Sequence, residues 1–288
     1  MNILVTGSNG QVGQELQVLA KSHTDAQFYF TDRKTLDIAS ADAINDFFAN
    51  NSIDYCINCA AYTAVDKAEE AVDICKKVNV EAVEYLAKAC SKYGTTLFQY
   101  STDYVYHAST NQPYKESQVP NPQSVYAQTK LDGDLMALKH CSKSIVIRTS
   151  WVYSSFGQNF VKTMIRLGEK LDALRVVFDQ IGTPTYARDL AATTLAIIQK
   201  LETEPDNEQY YGIFNYSNEG VTSWYDFANA VFELKNITIN LHPIESKDYP
   251  TPAKRPHFSV MNKQKIRDTF GLSIPHWRTA LNECLKLL

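Results

Sequence analysis

The sequence has no apolar run near the roughly twenty residues that a membrane-spanning helix requires. It also has no excess of positive charge, because 28 Lys and Arg stand against 32 Asp and Glu. The resulting formal net charge of −4 argues against a general nucleic-acid-binding protein. No basic-then-apolar leader precedes the first apolar segment. We therefore expect a cytoplasmic protein whose partners are neither nucleic acid nor membrane.

Cysteine is scarce, and its spacing does not indicate a disulfide or zinc framework. The sequence has six cysteines, of which Cys56 and Cys59 have the C-x-x-C spacing. This pair lies in an apparent strand over residues 53–60, where side chains three positions apart point to opposite faces. No second pair exists that would complete a zinc site. The sequence therefore predicts free thiols.

The first half of the chain alternates strand-like and helix-like segments. Apolar runs typical of buried strands cover residues 2–6, 27–31, 54–58, 95–100 and 144–148, with helical periodicity between them. This order predicts an α/β protein built on a Rossmann-like, doubly wound parallel sheet. In such sheets ligands bind at the carboxyl ends of the strands.

The regular alternation fades after residue 150. We therefore expect a smaller C-terminal α/β substrate-binding domain that covers the ligand. From residue 241 on, frequent prolines indicate irregular structure, followed by a helix from about residue 277. The expected division is interleaved, with an NAD(P)-binding domain from 1–150 and about 186–216, and a substrate-binding domain from about 151–185 and 217–288.

The first strand breaks into a glycine-rich turn. Gly7, Gly10 and Gly13 are spaced G-x-x-G-x-x-G between that strand and a helix. Free backbone N–H groups and the helix dipole meet at such a turn and favour a pyrophosphate. The second strand leads into Asp32, at the place where an acid binds an adenosine ribose. In this context a dinucleotide site is favoured over an ordinary strand-to-helix turn.

Two later segments carry candidate chemistry. Thr102 follows the fourth strand, and Tyr126 and Lys130 lie one helical turn apart. A phenol of pKa near ~10 is a poor acid at neutral pH, and we expect the lysine ammonium to lower that pKa. The Thr102 hydroxyl can share the hydrogen bond to a substrate oxygen. A lone Tyr-x-x-x-Lys is usually a solvent-facing pair, but this position in a dinucleotide fold favours catalysis.

These features, in this order, resemble an extended short-chain dehydrogenase/reductase. Residues 58–69, 148–153, 180–185 and 250–256 are similar to segments of the dTDP-4-dehydrorhamnose reductase family within it. The resemblance implies reduction of the C4 keto group of dTDP-4-dehydro-L-rhamnose to dTDP-L-rhamnose by NADPH or NADH. Tyr126 would donate the proton to the oxygen.

The resemblance also implies a set of site residues. The catalytic residues would be Tyr126, Lys130 and Thr102. Those on the substrate would be Thr102, Asp103, Val105, Trp151 and Arg255. Those on the cofactor would be Gly7, Gly10, Gln11, Val12, Gly13, Asp32, Arg33, Asp37, Ile38, Ala60, Ala61, Tyr62, Thr63, Tyr100, Tyr126 and Lys130. An exposed Trp151 would stack on a base or sugar, although a packed core position is about as common.

The resemblance also bears on the oligomeric state, the metal and the choice of cofactor. Some members form dimers bridged by Mg²⁺ between glutamates of the first helix and of the C-terminal half. Glu15 is in place, but the later positions correspond to Arg188 and Arg278, and arginine cannot ligate a cation. We therefore predict no metal, and a monomer or weak homodimer. Asp32 would repel a 2′-phosphate, whereas Arg33 and Lys34 beside it could accept one, so NADPH and NADH both stay open.

Other functions on this fold make different demands on the sequence. A nucleotide-sugar dehydratase needs a second acid after Asp103, where Tyr104 stands. Another nucleotide-sugar reductase or an epimerase fits the same motifs, and an epimerase would keep its NAD bound. A non-catalytic regulatory subunit would not need the set Thr102, Tyr126 and Lys130.

Overall fold

A six-stranded parallel sheet forms the centre of the computed structural model, which describes residues 1–204 and 208–288. Its strand order is β10-β5-β4-β3-β1-β2, and every neighbouring pair is parallel. This confirms the predicted α/β class and parallel sheet. The strands are β1 (Asn2–Thr6), β2 (Gln27–Phe30), β3 (Tyr55–Asn58), β4 (Thr96–Thr102), β5 (Ser144–Thr149), β6 (Val152–Tyr153), β7 (Ala173–Val177), β8 (Ile181–Gly182), β9 (Thr185–Tyr186), β10 (Gly212–Asn215), β11 (Thr222–Ser223) and β12 (Asn240–Ile244).

Helices connect the strands, and side-chain caps fix where several of them begin. The helices are α1 (Gln11–Ala20), α2 (Ala41–Asn50), α3 (Val65–Ala68), α4 (Val72–Lys76), α5 (Ala82–Tyr93), α6 (Val125–His140), α7 (Phe160–Gly168), α8 (Ala187–Thr203), α9 (Trp224–Leu234), α10 (Gln264–Phe270) and α11 (Trp277–Leu285). Ser40 caps α2 and Ser223 caps α9, each accepting from the main-chain N–H three residues later.

Helices cover both faces of the sheet. Because side chains alternate along a strand, Ile3 and Val5 of β1 point to one face and Leu4 to the other. The first two pack with α1 and α8, and Leu4 packs with α2, α5 and α6. The sheet is therefore buried on both sides, as a doubly wound fold requires.

A second region, outside the six-stranded sheet, is built from three two-stranded pairs. In it β6 pairs with β9 and β7 with β12, both parallel, while β8 and β11 are antiparallel. A separate apolar cluster, which includes Phe227 and Leu281, packs α7, α9 and α11 together. Between β9 and β11 the chain returns to the main sheet through α8 and β10, and β10 lies beside β5.

The prediction of irregular structure from residue 241 was wrong in two places. β12 includes Pro243, which lies opposite Val176 of β7. Proline breaks a central strand but is tolerated where one edge is free, as in a two-stranded sheet. α10 is seven residues long, and Lys263 at its N-cap makes no side-chain capping bond within the described residues. Neither element carries a strong sequence signal. Across the described ranges, each helix is too short or too polar to cross a membrane.

Candidate active site

A cleft of about 580 Å³ opens where β1, β3, β4 and β5 end. This is the sheet edge at which the topology predicts a ligand. Many of the predicted site residues line the cleft: Gly10, Gln11, Val12, Ala61, Thr63, Tyr100, Thr102, Asp103, Tyr126, Lys130 and Trp151. The structure therefore brings the candidate acid, its lysine and the glycine turn into one space.

The glycine turn forms one end of the cleft. Gly7 has φ +61°, and a Cβ there would lie 2.6 Å from the main-chain N of Ala60. The turn therefore packs against the end of β3 only because the side chain is absent. α1 begins directly afterwards. Its N-cap residue is Gly10, and among the described residues no side chain makes a capping hydrogen bond to this helix end. Its first N–H groups are left for an anion.

Gln11 joins this turn to the second region. Its Nε2 donates to the main-chain O of Val152 at 3.3 Å, and its Oε1 accepts from Asn159 Nδ2 at 2.9 Å. Val152 and Asn159 also line the cleft. The start of α1 is therefore held against the opposite wall.

The first turn of α6 carries the candidate acid, and two side chains fix where it begins. Ser124 Oγ accepts from the N–H of Ala127 at 3.2 Å, and Glu69 Oε1 accepts from the N–H of Val125 at 2.9 Å. A hydroxyl and a carboxylate are the acceptors that free N–H groups at a helix N-terminus prefer. They orient the turn from which Tyr126 enters the cleft.

The pKa of Tyr126 moves in the opposite direction to the one predicted. Burial raises the pKa of this phenol above its ordinary value, and the Thr102 hydroxyl acts against that rise. Lys130 Nζ donates to the main-chain O of Tyr100 at 2.6 Å, and burial lowers its own pKa to about 8. The spacing of Tyr126 and Lys130 indicated that they share a helix face, but not how deeply their side chains are buried. A phenol that stays protonated is the form that can donate a proton.

The end of β4 supplies two polar groups. Thr102 Oγ1 accepts from the N–H of Tyr104 at 3.2 Å and donates to Asp103 Oδ1 at the same distance. Asp103 is 1% exposed, and its Oδ2 has no hydrogen-bond partner among the described residues. Burial raises the pKa of this carboxyl to about 7. An unsatisfied buried oxygen beside the cleft is suited to a polar ligand.

The opposite wall contains a stacked pair of tryptophans. Trp151 and Trp224 lie with ring centroids 3.6 Å apart and planes 12° from parallel. Trp151 has φ +47°, which is rare for a bulky side chain. Its indole lies so close to Gly182 that a Cβ there would come within 2.8 Å. Trp151 is therefore both packed and part of the cleft.

Asp32 lies outside the cleft lining but next to the glycine turn. Its carboxylate accepts from the N–H groups of Lys34 at 2.9 Å and Thr35 at 3.1 Å, and from Asn9 Nδ2 at 3.0 Å. The hydrogen bond from the Thr35 main chain contributes most to lowering its pKa. The acid is ionised at neutral pH and connected to the turn through Asn9.

Arg255, expected on the substrate, is paired with a carboxylate instead. Its two terminal nitrogens lie 3.1 Å and 2.7 Å from the two oxygens of Asp66. Val105 is fully buried in a cluster with Tyr106 and Met261. The predicted residues that do not line the cleft are Gly7, Gly13, Asp32, Arg33, Asp37, Ile38, Ala60, Tyr62, Val105 and Arg255.

Sequence reasoning also missed part of the lining. Ser101 and Tyr104 flank predicted residues, so their positions in the last part of β4 and directly after it could have identified them. Trp224 and Asn159 come from the second region, where no motif marked them. The missed residues are Cys59, Val65, Ser101, Tyr104, Thr149, Val152, Gly157, Gln158, Asn159, Leu190 and Trp224.

The residues around Glu15 do not fit a bridging metal. Glu15 is fully buried; its Oε1 accepts from Ser154 Oγ at 2.6 Å and its Oε2 accepts from Arg188 Nε at 2.8 Å. Both carboxylate oxygens are thus already engaged, one of them by a cation. Over residues 1–204 and 208–288, no cluster of three His, Cys, Asp or Glu side chains has metal-binding geometry.

Both the sequence and the fold of this chain are similar to those of known proteins. A family described as "RmlD substrate binding domain" matches residues 1–288. A dTDP-4-dehydrorhamnose reductase of Aggregatibacter actinomycetemcomitans is 39% identical over 97% of this chain and 96% of its own. A crystal structure of the same-named protein from Clostridium acetobutylicum has 40% identity, a TM-score of 0.94, and covers 100% and 99% of the two chains. The one from Bacillus anthracis, in complex with NADP, has 33% identity, a TM-score of 0.92 and the same coverage.

Proposed function

Since this chain belongs to the RmlD substrate-binding family, we propose that it reduces the C4 keto group of dTDP-4-dehydro-L-rhamnose, with NADPH or NADH as the reductant. The relatives named above carry this reductase name, and one of them is a complex with NADP. The product would be dTDP-L-rhamnose.

One observation carries the proposal. Thr102, Tyr126 and Lys130 line the same cleft as the uncapped N-terminus of α1. A regulatory subunit would need the dinucleotide site but not a buried phenol and a buried amine beside it. The arrangement is that of a site that moves a proton next to a bound dinucleotide.

The glycine turn would hold the cofactor. The first N–H groups of α1, at Gln11 and Val12, are suited to its diphosphate. Asp32 lies where the adenosine ribose is expected, and Lys130 would reach the nicotinamide ribose. When bound, the reduced nicotinamide supplies a hydride to the carbonyl carbon.

Tyr126 would supply the proton. Burial keeps its phenol protonated, so the proton is available when negative charge develops on the carbonyl oxygen. The Thr102 hydroxyl would hydrogen-bond the same oxygen and hold it close to the phenol. The Lys130 ammonium would stabilise the phenolate after transfer.

The substrate would lie between Asp103 and Trp151. The unpaired Oδ2 of Asp103 would accept from a sugar hydroxyl, and the Trp151 indole offers a flat apolar face to the ring. Arg255 would bind the diphosphate only by exchanging Asp66 for phosphate oxygens, which a guanidinium holds in the same bidentate manner.

The wider setting of the enzyme is also part of the proposal. We place it in the cytoplasm, as a monomer or weak homodimer whose interleaved units are those expected from the sequence. The engagement of Glu15 by Arg188 supports an enzyme that works without a bridging metal.

The test is oxidation of NADPH and of NADH against a panel of nucleotide-linked ketosugars, with product stereochemistry read by NMR. We expect turnover with dTDP-4-dehydro-L-rhamnose and one reduced cofactor consumed per product. A protein that retains NAD and interconverts sugars without net cofactor consumption would instead be an epimerase. No turnover with any ketosugar would favour the regulatory subunit.

A further inference from the structure

Beneath the cleft, the buried carboxyl of Asp134 pairs with the buried Arg148, and the buried Lys130 lies one helical turn away on α6. Asp134 is 0% exposed, Lys130 is 3% exposed and Arg148 is 1% exposed. Asp134 follows Lys130 by four residues in α6, so the two lie on one helix face. A buried charge without compensation is strongly unfavourable. Burial raises the pKa of the Asp134 carboxyl, and the charges of Arg148 and Lys130 act against that rise, so this one group balances both cations.

Hydrogen bonds from two strands fix the carboxylate. Asp134 Oδ2 accepts from Ser101 Oγ of β4 at 2.9 Å and from Arg148 Nε of β5 at 3.2 Å. Arg148 also donates to the Tyr106 hydroxyl at 2.9 Å. Oδ1 has no hydrogen-bond partner within the described part of the chain. Hydrogen bonds to Oδ2 thus hold the carboxylate in place, and its negative charge acts on the nearby cationic side chains.

Lys130 has few groups that can compensate its charge. Its Nζ donates to the main-chain O of Tyr100 at 2.6 Å, which is a neutral acceptor. The ionisable groups that raise its pKa against the effect of burial are the Asp134 carboxyl from its own helix and the Cys75 thiol from α4. Of the two, only a carboxyl has an ordinary pKa well below neutral pH. Asp134 is therefore the anion on which the charge of Lys130 depends.

We propose that Asp134 is a positioning residue of the reaction, whose buried carboxylate keeps the Lys130 side chain in its charged form and so sets the upper pH limit of activity. The proposal rests on the role given above to Lys130. Arg148 binds the same carboxylate. Loss of the Asp134 charge should therefore lower the titration midpoint of Lys130, and loss of the Arg148 charge should raise it. Asp134 acts through Lys130 and does not line the cleft.

Asp134→Asn is the direct test. The amide has the same size, and its oxygen can accept the bonds from Ser101 and Arg148, so the charge is removed with little change in packing. We expect the titration midpoint of Lys130 to fall by about one to two pH units, as for a lost neighbouring charge. The midpoint is read by NMR of ¹³Cε-labelled lysine, and the Lys130 signal is assigned by its absence from Lys130→Met. The alkaline limb of kcat/KM should move down by the same amount.

Three further variants make the result decisive. Tyr106→Phe disturbs the same network without changing charge and should leave the midpoint in place. Asp134→Glu keeps the negative charge and should keep the titration midpoint of Lys130 near that of the parent. Arg148→Gln frees the carboxylate for Lys130 and should move the midpoint upward, which tests the proposal even if Asp134→Asn fails to fold.

An unchanged midpoint in Asp134→Asn, or a downward shift in Arg148→Gln, would overturn the proposal. The NMR titration needs no turnover. A shifted midpoint in a protein without reductase activity would therefore contradict the proposed function while supporting the electrostatic role of Asp134.

Discussion

The six-stranded sheet and the second region contribute to one cleft by different means. In the sheet, Thr102 lies at the end of β4, and Tyr126 lies on the helix that follows it. In the second region, Trp151 reaches the cleft through a left-handed backbone conformation and a stack on Trp224. The first arrangement follows from topology, and the second depends on contacts between segments distant in the chain.

This difference between the two regions indicates that the sheet holds the reacting groups and that the second region recognises the substrate. A proton donor must be held closely, and rigid elements with capped ends provide that precision. A wall that recognises one sugar rather than another can be built from irregular segments. The same separation gives distinct expectations for mutations in the two regions.

The largest expected effect is at the glycine turn. Gly7→Ala adds a Cβ 2.6 Å from the main chain of Ala60 at a position with φ +61°. We expect a loss of about 3 kcal/mol or more in the free energy of unfolding, because the clash adds to the left-handed backbone cost. Isothermal titration should show at least about a tenfold loss of NADPH affinity, since the turn must move.

Gly271→Ala, at the end of α10 and away from the cleft lining, is the matched control. Gly271 has φ +67°, and a Cβ there would meet nothing within 4 Å. This variant should lose only the backbone contribution of about 1–2 kcal/mol and keep its NADPH affinity. Equal effects of the two substitutions on affinity would show that the contact with Ala60 is unimportant.

Asp103 lies where the two regions meet, and its burial makes stability depend on pH. Its pKa, raised to about 7 from 3.8, means that the folded protein keeps a proton that the unfolded chain has released between about pH 4 and pH 7. The contribution of this group is therefore present below pH 4 and is lost as pH rises to 7. Asp103→Asn should raise the free energy of unfolding at pH 8 by about 1–4 kcal/mol and change it little at pH 4. A difference that does not grow with pH in urea titrations would contradict this.

The tryptophan stack should affect substrate binding more than chemistry. Trp224→Ala removes the support of Trp151, and we expect KM for the sugar nucleotide to rise about tenfold with little change in kcat. Trp277→Phe, in the core of the same region, should lower stability and leave KM unchanged. If Trp224→Ala lowers kcat at constant KM, the stack positions the reacting groups instead.

The sequence was sufficient where local rules determine structure. The turn from β1 into α1 was predicted from the spacing of its glycines. The convergence of Thr102, Tyr126 and Lys130 followed from the rule that ligands bind at the carboxyl ends of parallel strands.

The remainder could not be predicted, because it depends on tertiary contacts. Nothing near Trp224 indicates that it stacks on a residue 73 positions earlier. The depth at which Tyr126 is buried decides the direction of its pKa shift, and helical spacing carries no information on depth. The pairing of Arg255 with Asp66 likewise joins distant segments.

The most direct measurement is single-turnover reduction of dTDP-4-dehydro-L-rhamnose by the parent and by Tyr126→Phe, with NADPH binding measured in parallel. We expect dTDP-L-rhamnose from the parent, and a rate at least about a hundredfold lower in the variant at unchanged NADPH affinity. Equal rates would contradict the role of Tyr126 as the proton donor.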